Sequence, residues 1–129
     1  MKMVEALRQK SDLLEGKGLD VKKISAAEKE LGLKFAAEYK EYLEIMSIAA
    51  YGGHELTGLT KSERTNVVSV TRKMKERYSN IPVDWYVVED ANIDDIVIWQ
   101  DEKGNVYKTL QGSNAICIAS SLAEFVINV

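Results

Sequence analysis

Side chains with the widest chemical range are scarce here: one histidine, His54, and one cysteine, Cys117, in 129 residues. His54 follows Gly52-Gly53 and precedes Glu55. Imidazole and carboxylate are donor types for a divalent metal or for general acid–base work. Neighbours on a strand point to opposite faces, so this pair does not converge on one ion unaided. The plainer expectation for His54 is a surface or capping residue. Cys117 alternates with Ile116 and Ile118 and shares a strand face with Ala115 and Ala119, the pattern of a small buried side chain. A nucleophilic thiol needs an activating base, and the single histidine is distant in sequence. Neither a GxSxG nor a GxxxxGK[ST] pattern occurs. No catalytic residue, metal ligand or cofactor is predicted.

The carboxylates carry more information. Asp84, Glu89, Asp90, Asp94, Asp95, Asp101 and Glu102 follow one another with no Lys or Arg between them. Such a run is a candidate magnesium or acid–base site, or a solvated loop. It is also a candidate binding surface for a basic partner, with Trp85, Tyr86 or Trp99 as aromatic anchor. Glu89, Asp90, Asp94, Asp95, Asp101 and Glu102 are therefore the candidate partner-binding residues. Between positions 61 and 77 the balance reverses, with Lys61, Arg64, Arg72, Lys73, Lys75 and Arg77 against Glu63 and Glu76. One basic helix in a chain of net charge -3 is weak grounds for nucleic-acid binding. A solvated helix face, pairing with the acidic run, is favoured.

Elements must position these groups. Val4, Leu7 and Leu14 recur at helical intervals ahead of Gly16 and Gly18. Ser25 and Glu28 have the spacing of a capping box and Gly32 of a helix stop. Phe35, Tyr39, Tyr42, Leu43 and Met46 then mark one face of a second helix, broken at Gly52-Gly53. Residues 54–60 suit a short or bulged strand. Asn66 caps a helix bearing Val67, Val70, Met74 and Tyr78 on one face, and Asn80 and Pro82 stop it. The stretches 85–88, 96–99, 106–110 and 116–118 are rich in β-branched and aromatic residues and read as strands. Turn residues at 101–105 and 111–114 join them into an antiparallel meander. Ile96 and Ile98 face one way, Val97 and Trp99 the other, which predicts a strand covered on both faces and hence central. Ser121 and Glu124 form a second capping box before the stripe Leu122, Phe125, Val126, Val129. The predicted fold is a single α+β domain over 1–129: a largely antiparallel sheet from the second half, packed with N-terminal helices and a C-terminal helix.

Ile24, Glu28, Leu31, Gly32, Tyr39, Leu43, Gly52 and Gly53 stand in the order of a loose pattern, I…E…LG…LP…Y…FL…NGG. The chain thereby resembles the SUKH superfamily, bacterial immunity proteins with cell-wall-regulator relatives in yeast. Phe35-Ala36 replaces the usual Leu-Pro, and Tyr51 the usual Asn. Ile118, Ala119, Ser120, Ser121, Leu122, Glu124 and Phe125 resemble the family's closing strand and helix. The resemblance implies an immunity protein that binds a cognate bacterial toxin domain, often a nuclease, and blocks it by occlusion without catalysis. A regulatory or adaptor module is the alternative implied, and a small hydrolase a third reading.

Bulk properties agree with such a protein. At 46% hydrophobic and 29% charged, the chain suits one globular unit that buries roughly two-thirds of its unfolded surface. No apolar run approaches the ~20 residues of a membrane span. The charged N-terminal residues lack the apolar core of a secretory signal, and a lone cysteine fits a reducing compartment, so a cytoplasmic location is expected.

Overall fold

The computed structural model describes residues 1–91, 93–110 and 114–129. Its elements run α1 (Met3–Arg8), β1 (Leu14–Glu15), α2 (Val21–Leu31), α3 (Ala37–Ile45), β2 (Ala49–Tyr51), β3 (His54–Glu55), α4 (Val67–Arg77), β4 (Tyr86–Asp90), β5 (Val97–Gln100), β6 (Val106–Thr109), β7 (Ile116–Ala119) and α5 (Leu122–Ile127). The α+β class read from the sequence holds. A four-stranded antiparallel meander, β4-β5-β6-β7, comes from the second half, and a small antiparallel sheet, β1-β2-β3, from the first.

The first half departs from expectation in three places. α2 starts at Val21, where the Asp20 carboxylate accepts the Lys22 N–H at 2.9 Å, so Ser25 lies inside the helix and caps nothing. Glu28 is buried and its Oε2 accepts the Phe35 N–H at 2.8 Å, across the α2–α3 corner. The corner has no Leu-Pro, and this carboxylate supplies the acceptor that its backbone needs. Secondly, α3 ends at Ile45, well before the glycine pair. Ser47 takes a left-handed φ of 59° there, and its N–H closes on the Leu43 carbonyl. Gly52 and Gly53, at φ 51° and 82°, form the β2–β3 hairpin turn, in which Tyr51 pairs with His54. Positive φ at both central residues matches the strand twist and favours glycine. Thirdly, the first helix is short. Leu14 belongs to β1, paired with Ala50, and is 71% exposed.

Elsewhere the expectations stand. Asn66 Oδ1 accepts from the Val68 and Ser69 N–H groups at the start of α4, and Asn80 follows that helix with a φ of 66°. Ser121 Oγ accepts the Glu124 N–H at 3.0 Å, while the Glu124 carboxylate turns to Ser120 and not back to Ser121. Leu122, Phe125 and Val126 are buried, whereas Val129 is 46% exposed and drops out of the stripe. Gly104, φ 104°, turns the β5–β6 hairpin. The predicted turn at Gln111, Gly112 and Ser113 lies outside the described residues.

β5 is central, flanked by β4 and β6, and its two faces serve two cores. Ile98 joins Tyr39, Tyr42, Leu43, Leu7, Leu122 and Phe125 in the larger cluster. Val97 and Trp99 join Val70, Met74, Trp85 and Val87 under α4. The sheet thus lies between α4 on one side and α1, α3 and α5 on the other. Gly58 holds the loop after β3 in place: a Cβ there would fall 1.8 Å from the Ser47 carbonyl oxygen, so only glycine permits this backbone approach.

Candidate interaction surface

The acidic run is continuous in sequence and divided in space. Asp90 pairs with Val97 at one end of the β4–β5 ladder, and Tyr86 with Gln100 at the other. The β4–β5 loop, with Asp94 and Asp95, therefore lies at the opposite end of β5 from Asp101, Glu102 and Asp84. A strand of this length separates them by about 13 Å. The six candidate partner-binding residues do not form one patch.

Two of them point inward. Glu89 is 4% exposed, and its Oε2 lies 2.9 Å from His54 Nδ1. Burial pushes its carboxyl above the ordinary value, outweighing the His54 hydrogen bond, which acts the other way. This hydrogen bond ties the β2–β3 hairpin to β4. His54, expected as a surface or capping residue, is half-buried and is the partner of a buried carboxylate. The Tyr51 ring packs on the imidazole, with centroids 5.3 Å apart. Its hydroxyl is buried without a hydrogen-bond partner among the described residues, and burial together with the charge of Glu89 holds it protonated.

Asp101, 7% exposed, organises its own turn. Burial alone would raise its carboxyl, but donors from the Tyr107 hydroxyl at 2.9 Å, Asn105 Nδ2 at 3.1 Å and the Asn105 N–H at 2.9 Å pull it below the ordinary value. Glu89 and Asp101 are spent on structure. Asp94, Asp95 and Glu102 are exposed and Asp90 is half-buried. Asp94 and Asp95 both take left-handed φ, 53° and 56°, a conformation that Asp tolerates better than most residues.

The aromatic anchors are interior. Tyr86 and Trp99 are fully buried, and Trp85, 8% exposed, stacks on Tyr107 with ring centroids 4.0 Å apart. Beside the Asp94-Asp95 loop, however, Tyr78 donates its hydroxyl to the Asp95 carbonyl at 2.7 Å. Tyr78, Ile81, Pro82 and Trp85, together with Arg77, Asn80, Thr109 and Asn114, line a depression of about 390 Å³ there. The exposed Ile93, at 64%, stands on the same loop. An acidic loop beside a hollow of mixed polar and apolar lining is what the fold assembles at this end. A polar recess of about 70 Å³ lies next to it, lined by Glu55, Thr65, Glu89 and Asp90 and narrowed by Arg64, whose Nη2 is 2.9 Å from Glu55 Oε2.

Arg72 and Lys75 of the basic helix find hydrogen-bond partners outside the acidic run. Arg72 pairs with Glu30 and donates to its carbonyl. Lys75 donates to the Val83 carbonyl at 2.9 Å, and burial lowers its pKa against the raising influence of Asp84. Cys117 is exposed, contrary to the expectation of a packed thiol, because β7 is an edge strand and not an inner one. Among the described residues no group of three His, Cys, Asp or Glu side chains could hold a metal ion, and no helix is long and apolar enough to cross a membrane.

Several residues that hold this surface in place carried no signal in the sequence. Glu38 of α3 accepts the Leu122 and Ala123 N–H groups and Gln100 Nε2, capping α5 from 84 residues away. Gln100 also accepts the Tyr86 hydroxyl, which in turn accepts the Ala36 N–H. Thr57 and Thr71 bond the backbone of β4. Only folding makes these partners neighbours.

The described residues thus form a small α+β fold in which Glu28, Glu38, Glu89, Gln100 and Asp101 hold its elements together. A family model described as SUKH_5, SMI1-KNR4 cell-wall, matches residues 1–129, the whole chain, and the protein belongs to that family. No curated protein matches it.

Proposed function

We propose that this chain is a non-catalytic immunity protein that binds a cognate bacterial toxin domain and blocks its working surface. The observation that carries this reading is the family match over the full length of the chain. The binding surface we assign is the β4–β5 end of the sheet: Asp94 and Asp95, with Asp90 beside them and the Tyr78–Ile81–Trp85 hollow as the apolar contact. Opposite charge speeds encounter and apolar burial slows release. A nuclease is the favoured toxin, because a surface that grips phosphate is basic and the carboxylates of this loop offer it a substitute anion. The same carboxylates repel nucleic acid itself. Of the six acidic residues first considered, Glu89 and Asp101 act through structure, and Glu102 lies at the far end.

Neutralisation of a toxin domain that co-purifies with this chain tests the assignment. Asp94→Asn with Asp95→Asn removes both charges while keeping a side chain suited to left-handed φ. We expect affinity to fall tenfold or more, about 1.4 kcal/mol, while Glu102→Lys leaves it unchanged. Full protection by the double variant would remove this loop from the interface. The cell-wall wording of the family description favours a second reading, a regulatory adaptor. A neighbouring toxin gene argues for immunity, and an isolated gene for the adaptor.

A further inference from the structure

The two edges of the four-stranded sheet are finished differently. Along β4 the outer backbone is occupied: the Val87 N–H donates to Thr71 Oγ1 at 3.0 Å, the Val87 carbonyl accepts from Thr57 Oγ1 at 2.8 Å, and the Val88 carbonyl accepts the Thr57 N–H at 2.7 Å. Along β7, among the described residues, no hydrogen bond joins the backbone to any element but β6. The strand also lacks charge and proline. Ile116 and Ile118 are 57% and 39% exposed, Cys117 between them is exposed, and residues 114–120, Asn-Ala-Ile-Cys-Ile-Ala-Ser, contain no charge and no proline. Natural sheets blunt a free edge with charge, proline, a bulge or a cover, because unpaired N–H and C=O groups recruit another strand. The register step from Tyr107–Cys117 to Val106–Ala119 makes Ile118 the extra residue of a bulge on β7 itself, the one such device on this edge, and the strand stays apolar on both sides of it.

We propose that β7 pairs antiparallel with β7 of a second copy of this chain, joining the two sheets across a two-fold axis at Cys117. Self-pairing sets Ile116 of one copy against Ile118 of the other, twice, and buries no charge. The flanks argue for a second copy and not a foreign strand. Lys108 stands in register with Ile116 on β7 and with Ile98 on β5, and Ile98 belongs to the core on which α5 packs, so Lys108 shares the α5 side of the sheet. Glu124, at the start of α5, is held at the other end of β7 by Ser120, Oγ to Oε2 2.7 Å. The two-fold brings the Lys108 end of each β7 to the Glu124 end of its mate, so opposite charges meet at both rims. A symmetric contact of this kind gains every favourable pair twice.

Sedimentation equilibrium over a wide concentration range tests the pairing independently of any toxin. The expected result is a species of twice the 14.5 kDa chain mass, reverting to monomer in Ile118→Lys with an unchanged circular dichroism spectrum. Directly opposed strand residues have Cα atoms ~4.5–5.5 Å apart, within the ~4.4–6.8 Å span of a disulfide. Mild oxidation therefore links the dimer through Cys117, and Cys117→Ser abolishes the link while keeping the dimer mass. A monomer at every concentration, a dimer that survives Ile118→Lys, or a dimer that Cys117 fails to link would overturn the proposal. So would a monomer whose Ile118→Lys variant no longer neutralises toxin, since the edge would then belong to the partner.

Discussion

Glu89 and His54 show what a single pair does in this molecule. A carboxylate 96% shielded from water costs free energy unless a partner and hydrogen bonds compensate for the lost hydration, and the shift of Glu89 above its ordinary value of 4.5 means that compensation is incomplete. The sign follows from linkage. The folded state holds the Glu89 proton more tightly than the unfolded chain does, so this residue favours folding most below the ordinary carboxyl value, and the contribution is lost as pH rises through the raised one. Glu89→Gln cannot titrate. In urea unfolding, the stability of the natural chain relative to this variant should fall as pH rises from 4.5 toward neutrality, and a rise would contradict the burial argument. Asp101 runs the other way: its donors hold it below the ordinary value, so its contribution is present above that value and disappears as pH falls through the lowered one. Both residues were visible in the sequence as acidic. Neither could be read there as inward-pointing, because alternation along a strand says which residues share a face and nothing about what the face meets.

At the scale of elements, the helices and strands depend on one another for their ends. α5 has only six residues, Leu122–Ile127, too short to persist alone, and its first N–H groups are satisfied by Ser121 from its own chain neighbourhood and by Glu38 from α3. Glu38→Ala leaves two helix donors and Gln100 Nε2 without this acceptor. Lost caps and orphaned buried donors cost about 1–3 kcal/mol, so the urea midpoint should fall accordingly; Glu38→Gln, which retains one acceptor oxygen, should recover part of the loss. A midpoint unmoved by Glu38→Ala would show that water replaces the carboxylate. β4 is finished likewise, with Thr57 and Thr71 taking up backbone groups that an open edge would leave exposed. The four strands and the helices α4 and α5 were legible because hydrophobic period and turn residues are local. The three-residue strand β2 was not, since it follows α3 directly and its pairing partners, Leu14–Glu15 and His54–Glu55, lie on either side in sequence.

For the molecule as a whole, the strand β5 decides where charge is presented. It carries Asp94 and Asp95 to one end and Asp101 and Glu102 to the other, so a run that reads as one acidic block becomes two groups of different character. An interface built on the exposed group should be sensitive to screening. With a Debye length of about 10 Å at 0.1 M salt, raising ionic strength should slow association with a basic toxin far more than it speeds dissociation; stopped-flow binding at two salt concentrations checks this, and a salt-independent on-rate would remove electrostatic steering from the account. The sequence by itself determined the α+β class, the central position of β5, the caps at Asn66 and Ser121, and the family, whose marks at Glu28, Gly32, Tyr39 and Gly52-Gly53 are the residues that shape and fill the scaffold. The class, the strand position and the caps follow from local periodicity and backbone chemistry, and the family from the resemblance of its motif. Only the tertiary structure decided that Glu28 bonds the α2–α3 corner, that Glu89 is buried against His54, that Trp85, Tyr86 and Trp99 are core, and that Cys117 lies on an open edge. Each of these depends on which distant segments pack together, and burial, not residue type, settles whether a side chain holds the fold or meets a partner.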